Sequence, residues 1–248
     1  MIIALCFAAI GAILASFVGV IVERVNTGAS WTTDRSRCDS CAIELTARDL
    51  IPVVSWLITR GVCRSCGSRI PVRLLVIEAS MAAFFFAGYQ MIGLTWALPF
   101  FFLSLLLLLF IVLYDIRHTI VLIVPSVAFI ASALVYQLLA NPAALGLTLL
   151  FAGLAASVFL LFHLGSRGRA MGLGDAPVVL GLSLLAGASA TIPGVLFSFW
   201  IGAVYGLVVL ARTPKGHRMG IEVPFVPFLA LGFLLALYTG WNPLPLFS

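Results

Sequence analysis

Residues 103–113 read Leu-Ser-Leu-Leu-Leu-Leu-Leu-Phe-Ile-Val-Leu, without one charged side chain. Extended back to Trp96 and closed by Tyr114 and Asp115, the run has the ~20-residue length with which an α-helix crosses a bilayer. A membrane β-barrel would instead need short segments of alternating polarity. Nothing alternates here, so the run decides for helices.

Working outward, the same pattern recurs at Ile2–Val22, Leu74–Ile92, Trp96–Tyr114, Val121–Leu139, Ala143–Leu164, Pro177–Gly187, Ile192–Ala211 and Pro224–Tyr238. The sixth stretch is the shortest and runs into a small-residue turn, Gly187–Thr191. The whole chain of 248 residues is 62% hydrophobic and 9% charged, with mean hydropathy +1.19. A soluble domain carries about 25% charged residues, and a soluble fold of this length could not hide so much apolar surface. The expectation is an all-α polytopic membrane protein with about eight transmembrane helices. It divides into a first helix (1–25), a polar loop (26–73) and a membrane domain of about seven helices (74–248).

Met1-Ile-Ile-Ala lacks the basic start of a signal peptide, and Arg24 follows the apolar run instead, so the first helix reads as retained with its N-terminus outside. Eight alternating spans then leave segments 23–73, 115–120, 165–176 and 212–223 in the cytoplasm. All 14 Lys and Arg residues fall within those segments, which is the positive-inside rule without exception. Both termini are expected outside and the loop 26–73 inside. The net charge of +5 is thereby explained by topology. Membrane lipid, and no nucleic acid, is the implied partner.

The loop carries Cys38-Asp-Ser-Cys41 and Cys63-Arg-Ser-Cys66. Two CxxC pairs each aim two thiolates at one tetrahedral ion, the pattern of a structural zinc site. A reducing cytosol disfavours disulfides, and a loop of this size is too small to hold itself on an apolar core. Arg35, Arg37, Arg64 and Arg69 lie near enough in sequence to offset the charge of four thiolates. Cys6, alone in an apolar helix, reads as packing.

Two acids stand at the cytoplasmic ends of spans. Asp175 follows two glycines in Met171-Gly-Leu-Gly-Asp175, where the backbone can pack closely; it suits a helix cap as well as chemistry. Asp115 ends a helix, where its charge opposes the dipole. Such an acid suggests use, or a partner such as Arg117 or His118. Topology brings both to one depth on one face. Two neighbouring carboxyls share a proton, one acting as general base and one as general acid, and can activate water against a peptide carbonyl. His118, His163 and His217 have no motif around them, and no G-x-S-x-G, H-E-x-x-H or Walker sequence is present.

These residues resemble the bacterial prepilin peptidase family, the GxGD aspartic membrane proteases of type IV pilus and type II secretion systems. The resemblance rests on Ala15-Ser-Phe17 through Arg24-Val, the cysteine loop with Ile51–Trp56 and Arg60–Gly67, and Glu78. It continues through Tyr114-Asp-Ile-Arg117, Gly172-Leu-Gly-Asp175 and Val223–Ala230. It implies catalytic Asp115 and Asp175, the motif glycines Gly172 and Gly174, and zinc on Cys38, Cys41, Cys63 and Cys66. It implies an endopeptidase of the bacterial inner membrane that removes the basic leader of prepilins or pseudopilins just before their hydrophobic helix. It further implies N-methylation of the new terminus with S-adenosylmethionine, in which Glu78 is a candidate participant, a salt bridge to Arg73 or another loop arginine being the alternative for that side chain. The chain departs from the family pattern at Gly19, Ile120-Val-Leu122, Pro177 and Val226. A catalytically weak prepilin-binding factor, a zinc-loop scaffold and a membrane transporter are the rival readings. A transporter would place its acids near the midplane and show internal repeats.

Overall fold

A computed structural model describes residues 1–25, 30, 35–168, 171–212 and 223–241. Asp34, Arg169, Lys215, His217, Arg218, Glu222 and the C-terminal end lie outside the described residues. The chain forms two compact units, Met1–Leu94 and Thr95–Ser248. Apart from two isolated β-bridges, the ordered elements are helical among the described residues.

The first unit holds α1 (Ile2–Arg24), the short α2 (Val54–Thr59) and α3 (Val72–Ile92). Pro71 stands at the N-cap of α3, where a missing N–H costs nothing, and Gly93 ends it at φ 70°. Helices α1 and α3 pack antiparallel. Phe7 stacks on Tyr89 at 5.1 Å near one end, and Glu23 pairs with Arg73 at 3.7 Å at the other. Between them, a Cβ on Gly11 would come within 2.7 Å of Phe85 Cγ, so the glycine lets the helices approach. Arg73 therefore belongs to Glu23 and not to Glu78.

Glu78 anchors the loop instead. Its Oε2 accepts a 2.7 Å hydrogen bond from the Val53 N–H, and Val53 is held at φ 63°. A β-branched residue in that region is strained by about 1–3 kcal/mol. A short hydrogen bond to the Glu78 carboxyl offsets part of that cost.

The second unit holds α4 (Leu98–His118), α5 (Ile123–Ala140), a 3-10 turn (Pro142–Ala144), α6 (Leu145–Ser166), α7 (Asp175–Ala186), α8 (Ala188–Arg212) and α9 (Val226–Thr239). Every stretch expected to be helical forms a helix, with starts such as Trp96, Val121 and Pro224 moved inward by two residues. Six helices, α1, α3, α4, α5, α6 with its leading turn, and α8, are long and apolar enough to cross a membrane. The other two, α7 and α9, have 12 and 14 residues, about 18 and 21 Å at ~1.5 Å per residue. A hydrocarbon core is ~30 Å thick, so the expected eight spans become six full-length helices and two shorter ones.

The reason lies in where α7 sits. It packs against α5, α6, α8 and α9, and Val178, Val179, Leu182, Leu184 and Leu185 are all buried. A helix apolar on every face and surrounded on every face is the centre of its unit. Buried polar groups tie α5 to the helices on either side of it in sequence: the Ser132 hydroxyl donates to the Phe100 carbonyl of α4, and Gln137 Nε2 donates to Thr148 Oγ1 of α6 at 3.1 Å.

Candidate functional site

The polar loop is built on two copies of one turn. In the first, the Cys38 N–H donates to the Ile43 carbonyl, Ala42 N–H returns to Cys38 O, and Arg37 bridges Glu44. In the second, the Cys63 N–H donates to Ser68 O, Gly67 N–H returns to Cys63 O, and Val62 bridges Arg69. Each turn presents its two thiols on the same side. The four sulfurs lie within 4.8 Å of one another, and Cys38 Sγ and Cys66 Sγ are 3.9 Å apart. Four ~2.3 Å metal–sulfur bonds in a tetrahedron separate the sulfurs by about 3.8 Å, so this cluster fits a metal ion.

Two of the thiols are prepared for that role, whereas for Cys41 the Ile43 N–H is outweighed by desolvation and hydrogen bonds with the neighbouring thiols, which push it up to about 11. Backbone N–H groups of Cys41 and Ser40, with the Ser68 hydroxyl, bring Cys38 down to about 6. The Ser68 hydroxyl, then its N–H, lowers Cys66. The surrounding arginines are already engaged: Arg35 and Arg37 pair with Glu44 at 3.2 and 3.3 Å, and Arg64 with Asp49 at 3.2 Å. These exposed pairs contribute little stability; they shape the turns.

Both turns need a left-handed residue. Gly67 supplies it at φ 69°, whereas Ala42 is forced there at φ 57°. A non-glycine residue loses about 1–2 kcal/mol in that region. Ala42→Gly is therefore expected to stabilise the metal turn by about 1 kcal/mol, and Gly67→Ala to weaken it by at least as much. Competition with a chromophoric chelator measures both.

Asp115 lies in the last turn of α4 and Asp175 opens α7; their residues are 4% and 5% exposed. The charge of Asp115 bears on Asp175. Asp115 Oδ2 accepts the N–H of Val226 at 3.3 Å. Val226 is the first residue of α9, so the positive end of one helix dipole answers the acid that opposes the dipole of another. Neither of the partners expected from sequence supplies this bond. Arg117 is exposed, and the His118 ring lies tilted against Tyr114 at 4.4 Å with its Nε2 unpartnered among the described residues.

Asp175 does not cap its own helix. Its Oδ2 accepts the N–H of Gly172 at 3.1 Å, and the Asp175 N–H closes the turn on Gly172 O. The Gly-Leu-Gly-Asp turn thus folds back on its own carboxylate. Gly174 is required for a second reason. A Cβ there would overlap the side chain of Val121, in the link between α4 and α5. Gly174→Ala is expected to destabilise the second unit by about 1–3 kcal/mol through this overpacking, read as a lower melting temperature in detergent. Pro177 falls in the first turn of α7, where proline is tolerated. Each carboxyl keeps an oxygen beyond the one its backbone donor engages.

Sequence reasoning missed the Val226 amide and one side chain, His163. Its Nδ1 lies 2.9 Å from Met171 O, at the start of the same turn.

A family model described as the Bacterial Peptidase A24 N-terminal domain matches residues 9–92, within the first unit. Three relatives are each named prepilin leader peptidase/N-methyltransferase. The Dichelobacter nodosus protein is 34% identical over 214 residues, 82% of this chain and 71% of the relative. That of Myxococcus xanthus is 31% identical, over 83% of this chain and 63% of the relative. That of Bacillus subtilis is 28% identical, over 93% and 92%. No solved structure matches.

Proposed function

The chain belongs to the prepilin leader peptidase/N-methyltransferase family, and from that premise we propose that it is a membrane aspartic endopeptidase with Asp115 and Asp175 as its catalytic pair. One observation carries the reading. Two buried carboxyls on separate helices of one unit are each engaged by a single backbone N–H, and the charge of Asp115 bears on Asp175. Like charges this near cannot both ionise freely, so one carboxyl carries the proton. The ionised member takes a proton from water as it attacks the scissile carbonyl. The protonated member polarises that carbonyl and then protonates the leaving amine.

The substrates are prepilins or pseudopilins with a basic leader before a hydrophobic helix. With the basic residues of this chain on the cytoplasmic side, the pair stands at the inner face of the bacterial inner membrane. A substrate helix lying in the bilayer presents its leader junction there. The cysteine cluster holds Zn²⁺ as a structural ion. The four thiolates of Cys38, Cys41, Cys63 and Cys66 would hold it and tie the two turns of the loop together. Methylation of the new terminus with S-adenosylmethionine is the second activity, and the relatives' name supports it. For Glu78 the bond to Val53 supports a loop-anchoring role.

The test is cleavage of a prepilin by membranes carrying the wild-type chain, Asp115→Asn or Asp175→Asn, with products identified by mass. Wild-type cutting at the leader junction with both variants silent supports the reading. Normal cutting by the variants defeats it. A wild-type chain inert on several prepilins would move the reading to a weak binding factor.

A further inference from the structure

Met171 and Gly172 share one peptide unit, and both of its polar ends are in use. The carbonyl end, Met171 O, faces His163 Nδ1 at 2.9 Å. The amide end, Gly172 N–H, donates to Asp175 Oδ2 at 3.1 Å. A carbonyl only accepts, so Nδ1 of His163 carries the hydrogen. The two groups of a trans peptide point in opposite directions, which puts imidazole, peptide and carboxylate in one line of hydrogen bonds. A donor on the carbonyl polarises the peptide and strengthens its N–H as a donor.

The imidazole is itself held. At the end of α6 the chain turns sharply through Arg167 at φ 53° and Gly168 at φ 76°, and the Gly168 N–H bonds to the His163 carbonyl at 2.9 Å. A Cβ on Gly168 would stand 3.3 Å from His163 Cε1, so the glycine face packs directly against the ring. Among the described residues, the titratable side chains that bear on Asp175 are Asp115 and His163.

We propose that His163 is a positioning residue for Asp175, acting through the Met171–Gly172 peptide to fix the direction and strength of the N–H that holds the carboxylate. This rests on the reading of Asp175 as a catalytic carboxyl. The side chain contributes a donor at one place and takes no proton from substrate. Asparagine can place its Nδ2 where histidine has Nδ1, whereas glutamine carries its amide one bond further, where histidine has Nε2.

The experiment compares prepilin cleavage by wild type, His163→Asn, His163→Gln, His163→Ala and Asp175→Asn in detergent, with kcat, KM and the pH profile of kcat/KM. His163→Ala and His163→Gln are expected to lose about 10–100-fold in kcat, the usual effect of losing an outer hydrogen-bond partner, with KM little changed. The acidic limb of their profiles should move, because a weakened amide donor no longer favours the ionised carboxylate to the same extent. His163→Asn should stay within a few-fold of wild type, with the limb in place. An asparagine variant as inactive as the alanine variant would mean that the imidazole itself exchanges a proton, and would overturn the proposal. So would an alanine variant with full activity and an unmoved profile. If the alanine variant fails to accumulate in membranes, the asparagine and glutamine pair, closer in size, decides between the same outcomes. Cleavage by Asp175→Asn would instead defeat the catalytic assignment of Asp175, whatever the histidine variants do.

Discussion

Asp115→Asn and Asp175→Asn are each expected to lower prepilin cleavage by about 10²–10⁴-fold, the range that general acid–base groups contribute. The double variant should be little worse than either one, because two groups sharing one proton act as a unit. The substitutions leave the fold in place. An asparagine at 115 keeps an oxygen for the Val226 N–H, and one at 175 keeps an oxygen for the Gly172 N–H, the bonds that the carboxylates accept in the wild type. Membrane insertion and melting temperature should therefore match wild type. Losses that multiply in the double variant would show that the two acids act separately, and the shared-proton mechanism would fall. A large drop in melting temperature would mark them as structural groups.

Removal of the metal is expected to have the second largest effect, and to fall on the other unit. The loop between α1 and α3 has little apolar core: Ile43, Leu50, Ile51, Leu57 and Ile58 are all exposed. Structural zinc sites supply about 10–16 kcal/mol toward ordering their ligands, far more than the exposed ion pairs of this loop contribute. Stripping the ion with a strong chelator, or replacing the buried Cys63 by Ser, should open residues 35–71 to rapid amide exchange and to proteolysis. Helices α4–α9 should keep their protection, and metal analysis of the intact protein should return one zinc per chain. A loop that stays protected without metal would mean that the turns hold themselves.

The helices were legible in the sequence because lipid demands continuous apolar length, and that demand is visible residue by residue. Runs such as 103–113 cannot be read otherwise. The cysteine cluster was legible because a CxxC spacing already constrains two ligands, leaving only the meeting of two turns to be found. The repeated turn was less so, since Ala42 stands where its counterpart is Gly67, and only the backbone angles reveal the equivalence.

The role of α7 could not be read. Its twelve residues look like an incomplete span, and centrality is a property of what surrounds a helix. The immediate partners of the two acids were hidden for a related reason. Asp115 is met by a backbone N–H 111 residues away, and an amide has no letter in a sequence. His163 looked like an isolated histidine until the turn after α6 brought the Met171 carbonyl to it. Composition, apolar length and ligand spacing are local quantities, so the chain alone determined its helices, its metal turns and which acids to suspect. Which groups hold those acids depends on contacts across helix ends, made by peptide groups common to every residue, and only the tertiary structure decided them.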